Sequence, residues 1–466
     1  MSIAEEALRM ANDPPEYFGW SGLASHQLPR EEWQAMQLSG LQQRFADLNG
    51  RLAVLTATAQ EMGIDRIGSI EDGANLLFPH TVYKSYPVSL LERNRFRQLT
   101  KWLSRLSTID LSEADVDDCE GIDAWLKALE DSVGLSVTHS SGTSGTMTFL
   151  PRTNDGYRII SEVFGMSSRE SNGIDAGERN EPWHTFYLGF RGGRSHAARA
   201  GGWAYDNFAH TPENFHTLYD ADMSSDVMFM AARVRLAEAR GELDRLEISP
   251  AMKARQAEFE ETQRKSAQAL DRIFEQMIAL RGERVYIGGM NGAMTELAQR
   301  GLAEGYRDTF GPGCIVQTGG GNKGGLLPDN WQELIFEFTG AQRIAQYYGM
   351  TEVTMIAPMC DQGHYHIPPW VVAYVLDPDT GEPRPREGVQ TGRAAFFDLV
   401  PQTYWGGFAS GDEITVDFSP CACGRTTYHA HPQIQRFSEK RGGDDKITCA
   451  AADDAHAAAI EVLVQG

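Results

Sequence analysis

Between Pro29 and Met62, and again between Val88 and Leu106, apolar residues recur at three- and four-residue spacing. That spacing predicts helices with one face turned to a core. Residues 1–135 therefore read as mostly helical. The pattern changes at Leu135-Ser-Val-Thr138, a short β-prone run, and again at Thr148-Phe-Leu-Pro151. Residues 224–281 predict a helical hairpin broken near Ser249-Pro250, both halves amphipathic and rich in Ala, Arg and Glu. Short apolar runs then alternate with helical patterns. Val285-Tyr-Ile-Gly-Gly289 and Cys314-Ile-Val-Gln-Thr318 are runs, Ala293–Gly305 is helical, and Trp331–Phe338 fits either state. Alternation of this kind predicts α/β layers around a mainly parallel sheet. From Trp370 onward the runs are β-rich (371–376, 394–400, 413–418) and separated by Pro/Asp/Gly turns.

Composition narrows this picture without redirecting it. The 466 residues are 41% apolar and 23% charged, ordinary values for a folded chain with a large core. A formal charge of -22 argues against a nucleic-acid partner or an anionic membrane surface. No run approaches a transmembrane span, and the acidic N-terminus has no apolar signal-peptide region. Six cysteines are too few for a disulfide framework. A cytoplasmic, reduced chain is expected.

Four stretches carry candidate chemistry. In Ser140-Ser-Gly-Thr-Ser-Gly-Thr146, glycines let backbone N–H groups turn inward and the hydroxyls add donors, which suits phosphate oxygens. A plain surface turn has the same composition. It is not a Walker A loop, because no Lys follows its glycines. Thr318-Gly-Gly-Gly-Asn-Lys323 follows an apolar run, and Gly319, Gly320 and Gly321 permit close backbone approach to a flat ligand. In Tyr347-Tyr-Gly-Met-Thr-Glu352, Tyr348 could stack on a base, Gly349 supplies a turn, Thr351 could reach a phosphate and Glu352 could hold Mg²⁺, while Tyr347 could simply be core. In Ala409-Ser-Gly-Asp-Glu413, Asp412 could accept two ribose hydroxyls from a turn, or the turn could be only a turn.

The order of these stretches, over residues 135–450, resembles the adenylate-forming superfamily of acyl- and aryl-CoA synthetases, luciferases and peptide-synthetase adenylation domains. Tyr348-Gly-Met-Thr-Glu352 is its most specific element. Thr148 stands where most of that superfamily has a Lys, which resembles the phenylacetate–CoA ligase branch. Gly319–Lys323, His366-Ile-Pro-Pro-Trp370 and Gly443–Cys449 are more similar to the acyl-protein synthetases, which activate fatty acids for the bacterial luminescence reductase. The resemblance implies an adenylation domain over residues 1–440 with layered α/β subdomains and a β-rich part at 370–440. A hinge remnant and short tail would fill 441–466, leaving little or no C-terminal domain.

It also implies a two-step reaction: a carboxylate attacks the α-phosphorus of MgATP, giving acyl-AMP and pyrophosphate, and a thiol then takes the acyl group. Ser140, Ser141, Gly142, Thr143, Ser144 and Gly145 would hold the β- and γ-phosphates, Gly319–Gly321 would line the adenine and acyl pockets, and Tyr348 would lie against adenine. Thr351 would bind the α-phosphate, Glu352 the Mg²⁺ and Asp412 the ribose. The acyl site would fall near Trp183–Tyr187 and Phe190–His196, whose aromatics suggest an apolar or aromatic acid. His184 and His196 could equally be ordinary histidines.

Cys421-Ala-Cys423-Gly-Arg425 is a tight two-thiol turn, and relatives of the phenylacetate–CoA ligases carry such a stretch, some with structural zinc. Cys360, His366, Cys421 and Cys423 make the expected ligand set, with His364, His429 and His431 as competitors for the imidazole position; reduced, unligated cysteines are the plain alternative. The tail after Asp444-Asp445 is too short for the domain that usually runs the thiol step. The acceptor is then CoA, a carrier or reductase protein, or Cys449 itself, which could also be an ordinary buried thiol. A chain that binds nucleotide or acyl-adenylate without turnover is a further alternative. A homodimer or a loosely held complex is the expected assembly.

Overall fold

The computed structural model describes residues 1–140, 146–242, 266–319 and 327–437, with positions 257, 261 and 264 besides. The chain forms two compact units. One comprises 1–138, 148–163 and the chain from 348 onward; the other comprises 139–147 and 164–347. The helical region expected at 1–135 and the β-rich region expected from 370 thus share one unit. No helix among the described residues is long and apolar enough to cross a membrane.

The second unit is an α/β layer. Its five strands are β1 (His184–Gly193), β2 (Phe215–Met223), β3 (Val285–Met290), β4 (Ile315–Gly319) and β5 (Ile344–Ala345), in the order β2-β1-β3-β4-β5. Every pairing in it is parallel, as the alternating pattern predicted. Parallel strands need crossovers, which the helices His196–Ala204, Ser225–Arg240, Ser266–Ala279, Asn291–Ala303 and Trp331–Thr339 supply among the described residues. Trp331–Phe338, open to either state in sequence, is helix because its apolar residues Ile335 and Phe338 fall on one face and bury completely. They join Phe186, Ile287, Val316, Ile273 and Met277 in one core.

The first unit carries a mainly antiparallel sheet, with Phe78–Pro79 paired parallel to Phe408–Ala409. Strands of this unit include β6 (Tyr347–Gly349, of which Tyr348 and Gly349 belong to this unit), β7 (Tyr365–His366), β8 (Val371–Leu376), β9 (Val389–Asp398), β10 (Gly407–Asp417), β11 (His429–Ala430) and β12 (Gln435–Arg436). The main order is β7-β11-β10-β9-β8, with β12 beside β10 and β6 outside the sheet. All six residues of β8 are buried, so it reads as one apolar run rather than an alternation.

Several expectations change. The helix expected over Pro29–Met62 is two, Arg30–Leu48 and Ala53–Glu61, parted at Gly50, whose φ of +84° favours glycine. The helix expected over Val88–Leu106 is likewise two, Ser89–Glu92 and Phe96–Leu103, with Asn94 left-handed between them. Of the β-prone run at 135–138 only Thr138 enters a strand, Thr138–His139. The outer arms of the 224–281 hairpin are helical, the first ending at left-handed Gly241; the expected break at Ser249-Pro250 lies outside the described residues. Asp412 sits inside β10, not on a turn.

Candidate active site and cysteine–histidine centre

The Tyr348–Glu352 stretch begins on β6 and turns back after Gly349. A side chain at 349 would come within 2.7 Å of the Met355 carbonyl, so glycine is what lets the turn close. The turn is held from three sides. Arg152 donates to the Thr354 hydroxyl (2.8 Å) and to the Thr351 carbonyl (3.2 Å). Asp398 accepts from the Thr354 backbone at 2.6 Å and from Val400 N–H at 3.0 Å. The Trp370 indole donates to the Thr354 carbonyl at 2.7 Å. Burial raises the Asp398 carboxyl pKa, against which Arg152 and the Thr354 and Val400 donors act.

Asp412 reaches the same neighbourhood through a bulge. Between the pairs Ala395–Ala409 and Arg393–Glu413, β10 spends three residues (Ser410, Gly411, Asp412) opposite the single Ala394. Such an insertion bends a strand and re-aims its side chains. Ser410 fixes it by donating to the Ala394 carbonyl and accepting the Asp412 N–H. The Asp412 carboxylate then accepts from the Tyr348 hydroxyl at 3.2 Å and lies 3.7 Å from the Arg436 guanidinium. Burial, then Asp412, pushes the Tyr348 phenol well above its usual value, so its hydroxyl remains a donor. Burial also raises the Glu352 carboxyl; Asp412 adds to the rise, while a backbone hydrogen bond, Arg436 and Lys84 oppose it. Two neighbouring carboxylates suit a bound dication and a ligand that brings hydroxyl donors.

Cys360, His366, Cys421 and Cys423 form the second cluster, with one donor atom from each within 4.8 Å of the others. The Cys360–Cys421 sulfurs are 4.0 Å apart, and Cys423 Sγ lies 3.3 Å from His366 Nε2. Tetrahedral zinc sets such separations at about 3.8 Å between sulfurs and about 3.5 Å between sulfur and nitrogen, so the donor set fits. Burial, with His26, Arg425 and two further histidines, holds the His366 pKa down to about 2, leaving a neutral ring with a lone pair. Burial pushes the Cys421 thiol up to about 12. Burial acts on Cys423 in the same direction, but hydrogen bonds from Arg425 outweigh it and hold that thiol below the usual range.

The second unit contains a cavity of about 580 Å³ at the C-terminal ends of β1, β3 and β4. Strand order reverses between β1 and β3, the position where open parallel sheets form ligand crevices. Trp203, Tyr187, Tyr286, Met223 and Met228 line it, with Gln317 among the polar groups. His196 lines the cavity too; His184, at the opposite end of β1, does not.

The structure thus gathers Tyr348, Gly349, Thr351, Glu352 and Asp412 in the first unit, and gathers the four expected metal ligands there as well. Ser140 follows the Thr138–His139 strand, and Gly319 ends β4. Ser141–Gly145, Gly320, Gly321 and Cys449 lie outside the described residues. Sequence reasoning missed Arg152, Asp398 and Arg436. Only Pro151-Arg152, following the hydroxyl-rich stretch, offered a local hint.

No family model and no curated protein matches the chain. The chain is similar to solved structures of 2-hydroxyisobutyryl-CoA ligase. One, in the postadenylation state with R3-HIB-AMP, has 14% identity and a TM-score of 0.48 over 95% of this chain and 86% of that one. Another, an open conformation with 2-HIB-AMP and CoA, has 15% identity and a TM-score of 0.47 over 89% and 71%. ATP-bound MatB from Rhodopseudomonas palustris is similar at 15% identity and a TM-score of 0.35 over 67% and 52%.

Proposed function

We propose that the chain activates a carboxylic acid with ATP, forming acyl-AMP and pyrophosphate, and passes the acyl group to a thiol, as the adenylate-forming enzymes it resembles do. The observation that carries this reading is the Tyr348–Asp412 hydrogen bond beside Glu352. It ties the Tyr-Gly-x-Thr-Glu turn to the Ser-Gly-Asp bulge in one unit, the two stretches that the resemblance assigns to adenine, phosphate, Mg²⁺ and ribose. Tyr348 offers an aromatic face for the base, and Asp412 has a carboxylate for ribose hydroxyls. Glu352 would hold the Mg²⁺, which neutralises phosphate charge when bound. Adenylyl transfer depends on positioning and charge stabilisation rather than on a protein nucleophile, so a clamped turn with few side-chain bases suits it.

An apolar or aromatic acid is supported by the aromatic and methionine lining of the 580 Å³ cavity, with Gln317 available to a polar end. The cysteine–histidine centre supports a structural metal, zinc by its donor set. The acyl-protein-synthetase reading, with a protein thiol or Cys449 as acceptor, rests on the sequence resemblance alone; CoA is the other acceptor.

The test is carboxylate-dependent ATP–pyrophosphate exchange across fatty, aryl and arylacetic acids. Exchange with at least one apolar acid is expected. No exchange with any acid, despite ATP binding, would leave a non-turning-over binding module. CoA-dependent product against self-acylation lost in Cys449→Ser then separates the acceptors.

A further inference from the structure

Strand register gathers more imidazoles around the cysteines than one metal ion can use. His364 and His366 are two residues apart entering and within β7, and His429 and His431 are two apart in and beyond β11, so each pair shares a face. β7 and β11 pair antiparallel with His366 directly opposite His429, and His429 is opposite Asp417 on β10. The ring centroids of His364 and His429 are 4.6 Å apart, and those of His364 and His431 5.0 Å. Cys360 and His364 are carried by one turn, closed by Cys360 N–H to the His364 carbonyl at 2.9 Å.

If Cys360, His366, Cys421 and Cys423 fill one tetrahedron, three donors remain unused yet close. His364 Nδ1 lies 3.6 Å from Cys421 Sγ, near the roughly 3.5 Å that a shared zinc ion sets. One donor atom from each of His364, Cys421 and His429 falls within 4.8 Å of the others. His429 is 2% exposed, and its Nδ1 has no hydrogen-bond partner among the described residues. A buried ring nitrogen left so is costly unless something takes its lone pair. Charge points the same way. Three thiolates around one dication leave a net negative charge, which a second dication held by neutral imidazoles offsets. The Asp417 carboxylate, 3.7 Å from His429 Nε2, balances what remains.

We propose that Cys421 is a bridging thiolate between two zinc-class ions, the second held by His364 and His429 with an open position beside His431. This inference rests on the four-ligand reading of the first site. The 466-residue chain is saturated with Zn²⁺, desalted and assayed for bound metal. Two zinc ions per chain are expected, falling to one in His364→Ala and in His429→Ala. X-ray absorption of the wild-type protein should show a metal–metal vector at about 3.5–4 Å, and this decides the matter even if a variant does not fold. One zinc ion in the wild type and unchanged in both variants overturns the second site and leaves the first standing. Two ions without the metal–metal vector overturn the bridge, and no bound zinc overturns both sites.

Discussion

Glu352 is the residue on which function and stability are expected to oppose each other. Its carboxyl is raised by burial and by Asp412, so the folded chain holds that proton more tightly than the unfolded chain. Stability therefore falls as pH rises through the carboxylate range and is penalised at neutral pH. Glu352→Gln removes the penalty. Its Tm without ligand should exceed the wild type at pH 7, and the gap should close towards pH 4, while ATP–pyrophosphate exchange falls by about 100-fold or more. A lower Tm at pH 7, or near-normal exchange, would remove Glu352 from the proposed role. Tyr348→Phe keeps the ring and deletes only the donor to Asp412, so ATP KM should rise by about fivefold, the worth of one hydrogen bond of roughly 1 kcal/mol.

At the scale of elements, the clamp on the Thr351–Thr354 turn and the packing of two helices make separable predictions. Arg152 is both donor to the turn and, like Arg44, a cation acting on buried Asp398. Arg152→Met should destabilise the first unit by about 1–3 kcal/mol, because it removes the donors to buried Thr354 and to the Thr351 carbonyl and one of the cations acting on Asp398; chemical denaturation reads this directly. The double variant with Asp398→Asn should recover part of the loss. In the second unit, Gly301 faces Phe338, and a Cβ there would meet the ring at 2.1 Å. Gly301→Ala should cost about 1–3 kcal/mol in the same measurement, since the helices Asn291–Ala303 and Trp331–Thr339 must move apart.

For the whole molecule, acid should be the dominant stress. Burial, with Arg425, holds His26 down to about 3; burial, with Lys84, Arg393 and Arg436, does the same to His80. Both rings are neutral when folded and take up protons when unfolded below about pH 6.5, so stability is full above that pH and is lost as pH falls towards 3. Each contributes up to about 1.4 kcal/mol per pH unit in that window. Tm should fall steeply from pH 7 to pH 5, and His80→Gln should flatten the slope; an unchanged slope would exclude His80 as a source.

What the sequence determined by itself was local. Helical and strand periodicities and the parallel α/β layer were legible because backbone geometry repeats over two to four residues, and the four chemical stretches could be nominated because glycine or hydroxyl chemistry declares itself within a turn. The four candidate cysteine and histidine ligands were nominated by the family resemblance, which did not supply the register that sets His366 opposite His429. Asp412 shows where local reading stops, since Ser-Gly-Asp looks alike on a turn and in a strand bulge, and only the pairing of β10 with β9 distinguishes them. Arg152 was invisible because its partners at Thr351 and Thr354 lie 199 and 202 residues away. Tertiary structure decided which distant groups are buried together. It alone supplied the burial that shifts Glu352, His26 and His80, because desolvation depends on the packing of the whole unit around a group.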